Sequence, residues 1–333
     1  MSYTAEELFG VCGMMPAFST KDAGDMNATE TVDVDNLADG LDRVIKDGVH
    51  VIATTGTFGQ VWDLLWDEWK ALVTASIETV NDRVPLMLGC TSPNPRDVVQ
   101  KMKFIRDAGG QGVLLGVPYY YELPDRDVAS FYRHISEMFP DISIMIYHNP
   151  ENHKKHIPVR VFNELVKLPN IVAMKDSHRE TREFLALHRI IHGKISHFVN
   201  QVMLYPYFDM GASGCWSHAI WSGPWPVLAL WNAAAAGDRE KQMSILADLQ
   251  GGGGGGDAGE GGGRSGHLHH EFSGYIDIGP PRPPFSWVLE KEEDEAKNIE
   301  RGKRQSDRWL ALCEKYRPEV EAAGVTQLVG QYA

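Results

Sequence analysis

The stretch 142-ISIMIYHNPENHKKHIPVRVFNELVKLPNIVAMKDS-177 contains two short apolar runs separated by a helical pattern. Residues 142–147 and 171–175 are each too short and too apolar for a surface helix, whereas residues 159–168 have the spacing of an amphipathic one. Strands that alternate with helices indicate βα units and a parallel sheet. The stretch therefore predicts a strand, a helix and a second strand parallel to the first.

The same alternation extends from about residue 11 to residue 237. Eight candidate strands can be counted, at 11–18, 49–55, 85–90, 111–116, 142–147, 171–175, 195–200 and 213–217. Strands in this number, each followed by a helix, predict an α/β fold, the (β/α)8 TIM barrel, over residues 1–237. A doubly wound sheet is the alternative. It would need a glycine-rich phosphate loop after its first strand, and 16-PAFSTKDAGD-25 is no such loop.

Residues 238–333 predict a C-terminal helical extension of the barrel. Its two helical patterns run from Asp238 to Leu249 and from about Val288 to Lys315. Between them lies a glycine-rich tract, which cannot offset the conformational entropy that ordering would cost. We therefore predict a flexible loop at 251–266.

Composition narrows the range of partners. With 45 acidic and 32 basic residues the net charge is -13, which repels nucleic acid and anionic membranes. No apolar run approaches the roughly 18 residues of a membrane span, and the N-terminus lacks the layout of a signal peptide. The four cysteines form no CxxC pair and predict buried, reduced thiols. We expect a cytoplasmic protein that binds a small molecule, with no nucleic-acid or membrane partner.

Three reactive side chains follow predicted strands, where the active groups of a TIM barrel gather. Lys175 closes the sixth strand, Tyr147 closes the fifth, and Thr57 follows the second. A lysine at a strand end is most often a solvated cap. Inside a barrel mouth, however, desolvation would lower its pKa and leave a neutral amine able to condense with a ketone.

A proton shuttle for such an amine is available on the neighbouring strand. Adjacent strands lie roughly 5 Å apart, so Tyr147 could exchange protons with a group bound to Lys175, and Thr57 could hold the phenol in place. Tyr147 could equally be a packing residue that fills the end of the barrel. The loop 55-TGTFGQ-60 presents backbone amides between Gly56 and Gly59, which suits a carboxylate, although glycines after a strand usually mark only a turn.

Together these residues resemble the pyruvate-dependent class I aldolases of the dihydrodipicolinate synthase and N-acetylneuraminate lyase superfamily. The likeness runs from about Gly13 to Pro226. It rests on G-T-F-G at 56–59, V-P-Y-Y at 117–120, Y-H-N-P at 147–150 and I-V-A-M-K-D-S at 171–177. The order and spacing of these motifs make the resemblance specific.

One branch of the superfamily is especially similar, the hydratase-aldolases of aromatic hydrocarbon breakdown. The branch is indicated by Phe58, L-G-V-P at 115–118, Asn149 and G-P-P-R-P-P at 279–284. Asn152 stands where a synthase carries an arginine for its second substrate. The resemblance implies a carbon–carbon lyase that cleaves an arylidene pyruvate, such as trans-2-carboxybenzalpyruvate or trans-o-hydroxybenzylidenepyruvate, without a metal or other cofactor. A dihydrodipicolinate synthase-like or other pyruvate-dependent aldolase is the alternative.

The resemblance also implies residue roles. Lys175 would form the Schiff base and Tyr147 would move protons. Thr57, Gly56 and the Phe58 amide would hold the pyruvate carboxylate.

Other positions are implied to contact substrate or a neighbouring subunit. Asn149 would orient substrate or water, although a turn residue before Pro150 is an equal alternative. Tyr120 occupies the position of a tyrosine that in the synthases reaches into a neighbouring subunit's site. Among the aromatic residues near strand ends, Phe58 and Trp216 are the candidates for contact with the substrate ring; the others are Trp62, Tyr119, Tyr120 and Tyr121.

The resemblance further implies a homo-oligomer, commonly a tetramer. Trp221, Trp225 and Trp231 would suit a subunit contact if exposed, or would cover the barrel floor. The basic cluster 152-NHKKH-156 could bind a carboxylate on the substrate ring, but a solvated loop is the stronger interpretation.

The glycine tract departs from the family pattern, which has an ordinary amphipathic segment there. A shifted reading frame in a glycine-rich gene segment is one hypothesis for it. Two rival functions remain open: a metal-dependent hydrolase that uses 267-HLHH-270, although such a cluster is more often a loop, and a binding protein that has lost the chemistry.

Overall fold

Eight parallel strands close into a barrel in the computed structural model, which describes residues 2–251, 264–284 and 292–327. The strands are β1 (Gly10–Met14), β2 (Val51–Thr54), β3 (Leu86–Gly89), β4 (Gly112–Leu115), β5 (Ser143–His148), β6 (Ile171–Asp176), β7 (Ser196–Asn200) and β8 (Gly214–Ser217). Each pairs with the next, and β8 pairs with β1. The predicted TIM barrel is confirmed, and the doubly wound sheet is wrong because the sheet has no open edge.

Helices surround the barrel. They are α1 (Val34–Lys46), α2 (Trp66–Val80), α3 (Pro95–Asp107), α4 (Asp125–Met138), α5 (Pro150–His153), α6 (Phe162–Leu165), α7 (Thr181–Ile191), α8 (Leu204–Tyr207), α9 (Trp225–Ala235), α10 (Arg239–Gly251), α11 (Arg264–Ser273) and α12 (Glu292–Ala323). Local sequence determines where several helices begin. Asp33, for example, accepts a hydrogen bond from the Asn36 amide at the N-terminus of α1. Within the described residues no helix combines the length and apolarity needed to cross a membrane.

The helix predicted at 159–168 is shorter than expected. A single 3-10 turn, Val159–Val161, leads into the four residues of α6. Its apolar face is nonetheless buried, since Val161, Phe162 and Leu165 pack into the core. The apolar spacing predicted the buried face, but it did not distinguish a 3-10 turn from an α-helix.

Alternation along the strands divides the core in two. One cluster fills the barrel interior and includes Cys12, Met14, Ala53, Tyr147 and Phe198. The other lies between the strands and the helices. Because both faces of each strand are buried, the strands are nearly continuous apolar runs, which is why they can be recognised in the sequence. All four cysteines are buried and unpaired.

The C-terminal extension packs on the barrel through α12, whose Trp309 is fully buried and donates from its indole nitrogen to the Gly223 carbonyl at 3.1 Å. The predicted charged helix corresponds to α12, which continues to Ala323; positions 288–291 lie outside the described residues. Trp221, Trp225 and Trp231 are buried within the chain and therefore form no exposed surface.

The flexible loop predicted at 251–266 is wrong at both ends. Gly251 belongs to α10, and α11 begins at Arg264; residues 252–263 lie outside the described residues. Helix α11 is ordered by packing against α12 and by a hydrogen bond between His270 and Ser222, whose Nδ1 and Oγ are 2.8 Å apart. The division of the chain at residue 237 remains a prediction.

Arg282 ties the extension to the loops at the mouth of the barrel. Its side chain is only 3% exposed. The guanidinium donates to the side chains of Thr31 and Gln60, both at 2.7 Å, and to the backbone carbonyls of Ala17, Phe18 and Thr31. One residue of the extension thus donates to five acceptors on two barrel loops.

We expect Arg282→Met to lower the free energy of unfolding by about 3 kcal/mol, because buried acceptors lose their partner. Urea denaturation measures the change. The control is Arg126→Met, since the Arg126 side chain is 87% exposed and pairs with Asp127 on the surface; its effect should stay below about 0.5 kcal/mol. Equal effects of the two substitutions would contradict this interpretation of Arg282.

Candidate active site

The register between β5 and β6 brings the two main candidate residues together. Tyr147 is the pairing partner of Lys175, and His148 is the partner of Asp176. Alternate residues of a strand point to opposite faces. Tyr147 and Lys175 therefore face the barrel interior together, while His148 and Asp176 face the surrounding helices.

Lys175 is nearly excluded from solvent, with 5% of its surface exposed. Its Nζ lies 5.4 Å from the centre of the Tyr147 ring and 5.6 Å from that of Trp216, and it donates a hydrogen bond to the Ser177 hydroxyl. Burial lowers the pKa of Lys175 from 10.5 to about 8, against the opposing attraction of Asp176. A substantial fraction of the amine is neutral near that pH, as a nucleophilic lysine requires.

A hydrogen-bonded group of polar side chains surrounds the Tyr147 hydroxyl. The Tyr147 hydroxyl donates to the Thr57 hydroxyl at 3.0 Å and accepts from the Asn149 side-chain amide at 3.4 Å. Asn152 also reaches Thr57, at 3.5 Å. Asn149 also caps the N-terminus of α5, where its side chain accepts from the Asn152 amide, as expected of a turn residue before Pro150; its contact with substrate or water stays a prediction. The phenol is held by fixed partners on two loops, which suits a group that relays protons.

The loop 55–60 is shaped by close packing. A Cβ at Gly59 would lie 2.5 Å from the Thr55 backbone nitrogen, so this position requires glycine, whereas one at Gly56 would lie 2.3 Å from the terminal methyl of the flexible Met14 side chain. The Thr57 carbonyl accepts from the Gln60 amide and from the Trp62 indole nitrogen. Within the described residues, the amides of Thr57 and Phe58 donate to no protein acceptor. Two such amides can bind an anion.

The predicted aromatic residues divide into two groups. Trp216 is buried and its ring stacks on that of Tyr147, with 5.9 Å between centroids, so it lies beside Lys175. Phe58 stacks on His218 at 4.2 Å. Tyr120 does not join them: it is 74% exposed and packs against Tyr121 on the surface of the chain.

The basic cluster 152–156 is partly solvated, because Asn152, Lys154 and His156 are exposed while His153 and Lys155 are buried. Lys155 is buried and pairs with Asp125 at 2.8 Å, and His156 pairs with Glu183 at 3.0 Å. His153 is buried, and burial lowers its pKa to about 4. The partners of Lys155 and His156 lie on α4 and α7, which the local sequence could not reveal.

Sequence reasoning missed the polar residues behind the site. Asp176 is buried and binds the side chains of His148, His197 and Arg179. The motifs carried a usable signal: a histidine follows Tyr147 and an aspartate follows Lys175, and two residues in register must remain in register one position later. No group of three or more His, Cys, Asp or Glu side chains in the described part of the chain could hold a metal ion.

The fold and these contacts define a class of protein, the TIM barrels that have a lysine excluded from solvent at the end of the sixth strand. The sequence profile of the dihydrodipicolinate synthetase family matches residues 12–250. The chain belongs to this family, as its motifs predicted.

Several relatives are similar over different lengths. The trans-O-hydroxybenzylidenepyruvate hydratase-aldolase of Pseudomonas aeruginosa is 37% identical over 172 residues, which are 52% of either protein, so the chain spans about half the length of this relative. The trans-2'-carboxybenzalpyruvate hydratase-aldolase of Nocardioides sp. (strain KP7) is 26% identical, covering 94% of this chain and 96% of that protein. The solved structure described as "PhdJ bound to substrate intermediate" has a TM-score of 0.85 at 27% identity, covering 94% and 99% of the two chains.

Because the pKa of Lys175 is lowered in the folded protein, the free energy of unfolding should depend on pH. Between pH 8 and 10.5 the unfolded chain holds a proton on this amine that the folded chain has lost, so wild-type stability rises with pH there. We expect Lys175→Met to gain on the order of 3 kcal/mol over wild type below pH 8, and this advantage to shrink towards pH 10.5. Urea denaturation of both proteins at pH 7 and pH 10 measures it. A difference that does not vary with pH would contradict the assignment.

Proposed function

We propose that this protein is a hydratase-aldolase that cleaves an arylidene pyruvate to an aromatic aldehyde and pyruvate through a Schiff base on Lys175. The observation that carries the proposal is the buried Lys175 amine beside the Tyr147 ring, with the Tyr147 hydroxyl bonded to Thr57 at 3.0 Å. Membership of the dihydrodipicolinate synthetase family and the similarity to two hydratase-aldolases support it.

The first half of the reaction is condensation and hydration. The neutral Lys175 amine attacks the 2-keto carbon of the substrate, and loss of water gives a protonated Schiff base. The iminium withdraws electrons from the conjugated C=C bond, so water adds to the carbon that bears the ring, and the proton that this water loses passes through Tyr147 to C3. The amides of Thr57 and Phe58 suit the pyruvate carboxylate, and the Asn149 side-chain amide suits the orientation of the water.

The second half is cleavage. Tyr147 takes the proton from the new hydroxyl, the C3–C4 bond breaks with its electron pair moving to the iminium, and an aromatic aldehyde leaves. The resulting enamine takes up a proton at C3, and hydrolysis releases pyruvate and the free Lys175 amine. The iminium accepts the electron pair of the C=C bond during hydration and that of the C3–C4 bond during cleavage. No redox step is therefore needed.

An aromatic substrate is supported by the rings around the lysine. Trp216 lies beside the Lys175 nitrogen, and the stacked pair of Phe58 and His218 lies at the carboxylate loop. Aromatic faces suit a planar aryl group in conjugation with the Schiff base. Lys155 and His156 pair with acidic residues, so neither of them supports a substrate with a ring carboxylate over one with a ring hydroxyl.

Treatment with borohydride and pyruvate tests the Schiff base. We expect a covalent adduct on Lys175, located by peptide mass spectrometry, in the wild type and in Tyr147→Phe, and none in Lys175→Met. With trans-o-hydroxybenzylidenepyruvate as substrate, Tyr147→Phe should lose roughly 100-fold or more of the aldehyde release, because a general acid–base group contributes about that much.

The controls separate the rival functions. Tyr121→Phe, at an exposed phenol, should keep wild-type turnover. Activity that is abolished by a chelator would favour a metal-dependent hydrolase, and an absent adduct would favour a binding protein. An adduct without release of aromatic aldehyde would favour a synthase-like or other pyruvate-dependent aldolase.

We also propose that the protein assembles into a homo-oligomer, a tetramer, with Tyr120 at a subunit contact. The support is a largely apolar groove of about 640 Å³ lined by Tyr120, Tyr121, Pro118, Phe131 and Met138. Tyr120 and Tyr121 are 74% and 77% exposed, which is unusual for large aromatic side chains unless another surface covers them.

Light scattering on the purified protein measures the assembly. We expect a mass of four chains for the wild type and a smaller mass for Tyr121→Glu, because a buried unpaired charge at a contact is costly. Met243→Glu, at an exposed apolar residue on α10, is the matched control and should keep the wild-type mass. A monomeric wild type at micromolar concentration would overturn the proposal.

A further inference from the structure

The buried carboxylate of Asp176 immediately follows Lys175 but faces the opposite side of β6. It lies behind the wall of the barrel, 1% exposed, while the lysine lies inside. Three donors surround it: Nδ1 of His148 at 2.8 Å, Nε2 of His197 at 3.0 Å and Nε of Arg179 at 2.7 Å. These donors come from β5, from β7 and from the turn after β6.

The hydrogen bonds define the protons on one of the two imidazoles. The Ile157 amide donates to Nε2 of His148 at 3.1 Å, so that nitrogen carries no proton and Nδ1 is the donor to Asp176. His148 is therefore neutral. His197 lies with Nε2 against Asp176, and its buried Nδ1 has no partner within the described residues.

Asp176 is consequently a permanent anion. Burial alone would raise its pKa, but the hydrogen bonds from His148 and His197 outweigh burial and hold the pKa well below its usual value. Arg179 is the permanent cation among its three partners, and this cation is shared with Glu183 on α7. The side chain of His156 packs on His148 from behind.

We propose that Asp176 is a positioning residue, a fixed negative charge behind β6 that favours the positively charged states of Lys175. This inference rests on the proposed function only where it concerns the Schiff base: the same field that favours the ammonium also favours the cationic iminium. The groups that face Lys175 are Tyr147, Trp216, Ser177, Cys12, His153 and His218. A further charge, the exposed carboxylate of Glu151 on α5, acts on Lys175 from outside the barrel.

The arrangement resolves two opposing requirements of a Schiff-base lysine. A dry environment makes the amine neutral and nucleophilic, but it also destabilises the cation that forms next. A carboxylate inside the barrel would meet the second need while competing with substrate for space and hydrogen bonds. Asp176 lies behind the strand, and its own donors occupy its carboxylate oxygens. It therefore affects Lys175 through its electrostatic field alone.

Competitive labelling with acetic anhydride measures the effect in the free enzyme. The rate of Lys175 acetylation, followed by peptide mass spectrometry against pH, gives the midpoint for loss of the amine proton. We expect Asp176→Asn to move this midpoint to lower pH by about one unit. Arg179→Gln should move it to higher pH, because Asp176 then lacks its compensating cation. Glu180→Gln, at an exposed carboxylate, should leave it unchanged.

Opposite shifts separate an electrostatic role from structural damage, which would move both variants in the same direction. No shift in Asp176→Asn, or shifts of one sign in both variants, would overturn the inference. If Asp176→Asn does not fold, Arg179→Gln decides alone, and an unchanged midpoint in it is sufficient to reject the role. Labelling needs no pyruvate, so its outcome is independent of whether the borohydride adduct forms.

Discussion

The pairing of β5 with β6 is the constraint on which the candidate site depends. One register sets Tyr147 beside Lys175 inside the barrel and His148 beside Asp176 outside it. A slip by one residue would exchange the two faces and place the amine among the helices. Closure of the barrel protects against such a slip, because every strand is held on both sides by a neighbour. The chemistry proposed for this protein therefore depends first on backbone hydrogen bonds.

The burial of Lys175 shows how a folded chain can hold a costly group. Its amine loses hydration inside the barrel, and the partners that remain are a serine hydroxyl and the faces of two aromatic rings. Such contacts favour a cation less than water does. The stability of the surrounding core, in which the eight strands are buried on both faces, offsets the free-energy cost of burying this amine. An active site that needs a dry amine thus needs a large fold around it.

Much of this arrangement was predictable from sequence. The strands are apolar runs because both of their faces are buried, and parallel strands bring their last residues to one edge, so Lys175, Tyr147 and Thr57 were expected together. Contacts between distant segments were not predictable. Lys155 follows a basic run, yet its partner Asp125 lies on another helix, and Arg282 binds a glutamine 222 residues earlier in the chain. Local patterns carry no information about such partners.

Arg282 has a consequence for biosynthesis. Translation proceeds from the N-terminus, so all eight strands are made before residue 282 leaves the ribosome. Until then Thr31 and Gln60 lack the guanidinium that joins them in the finished molecule. A nascent chain with a completed sheet therefore still lacks this support for the loop proposed to bind the substrate carboxylate, until a residue 222 positions after Gln60 has been added.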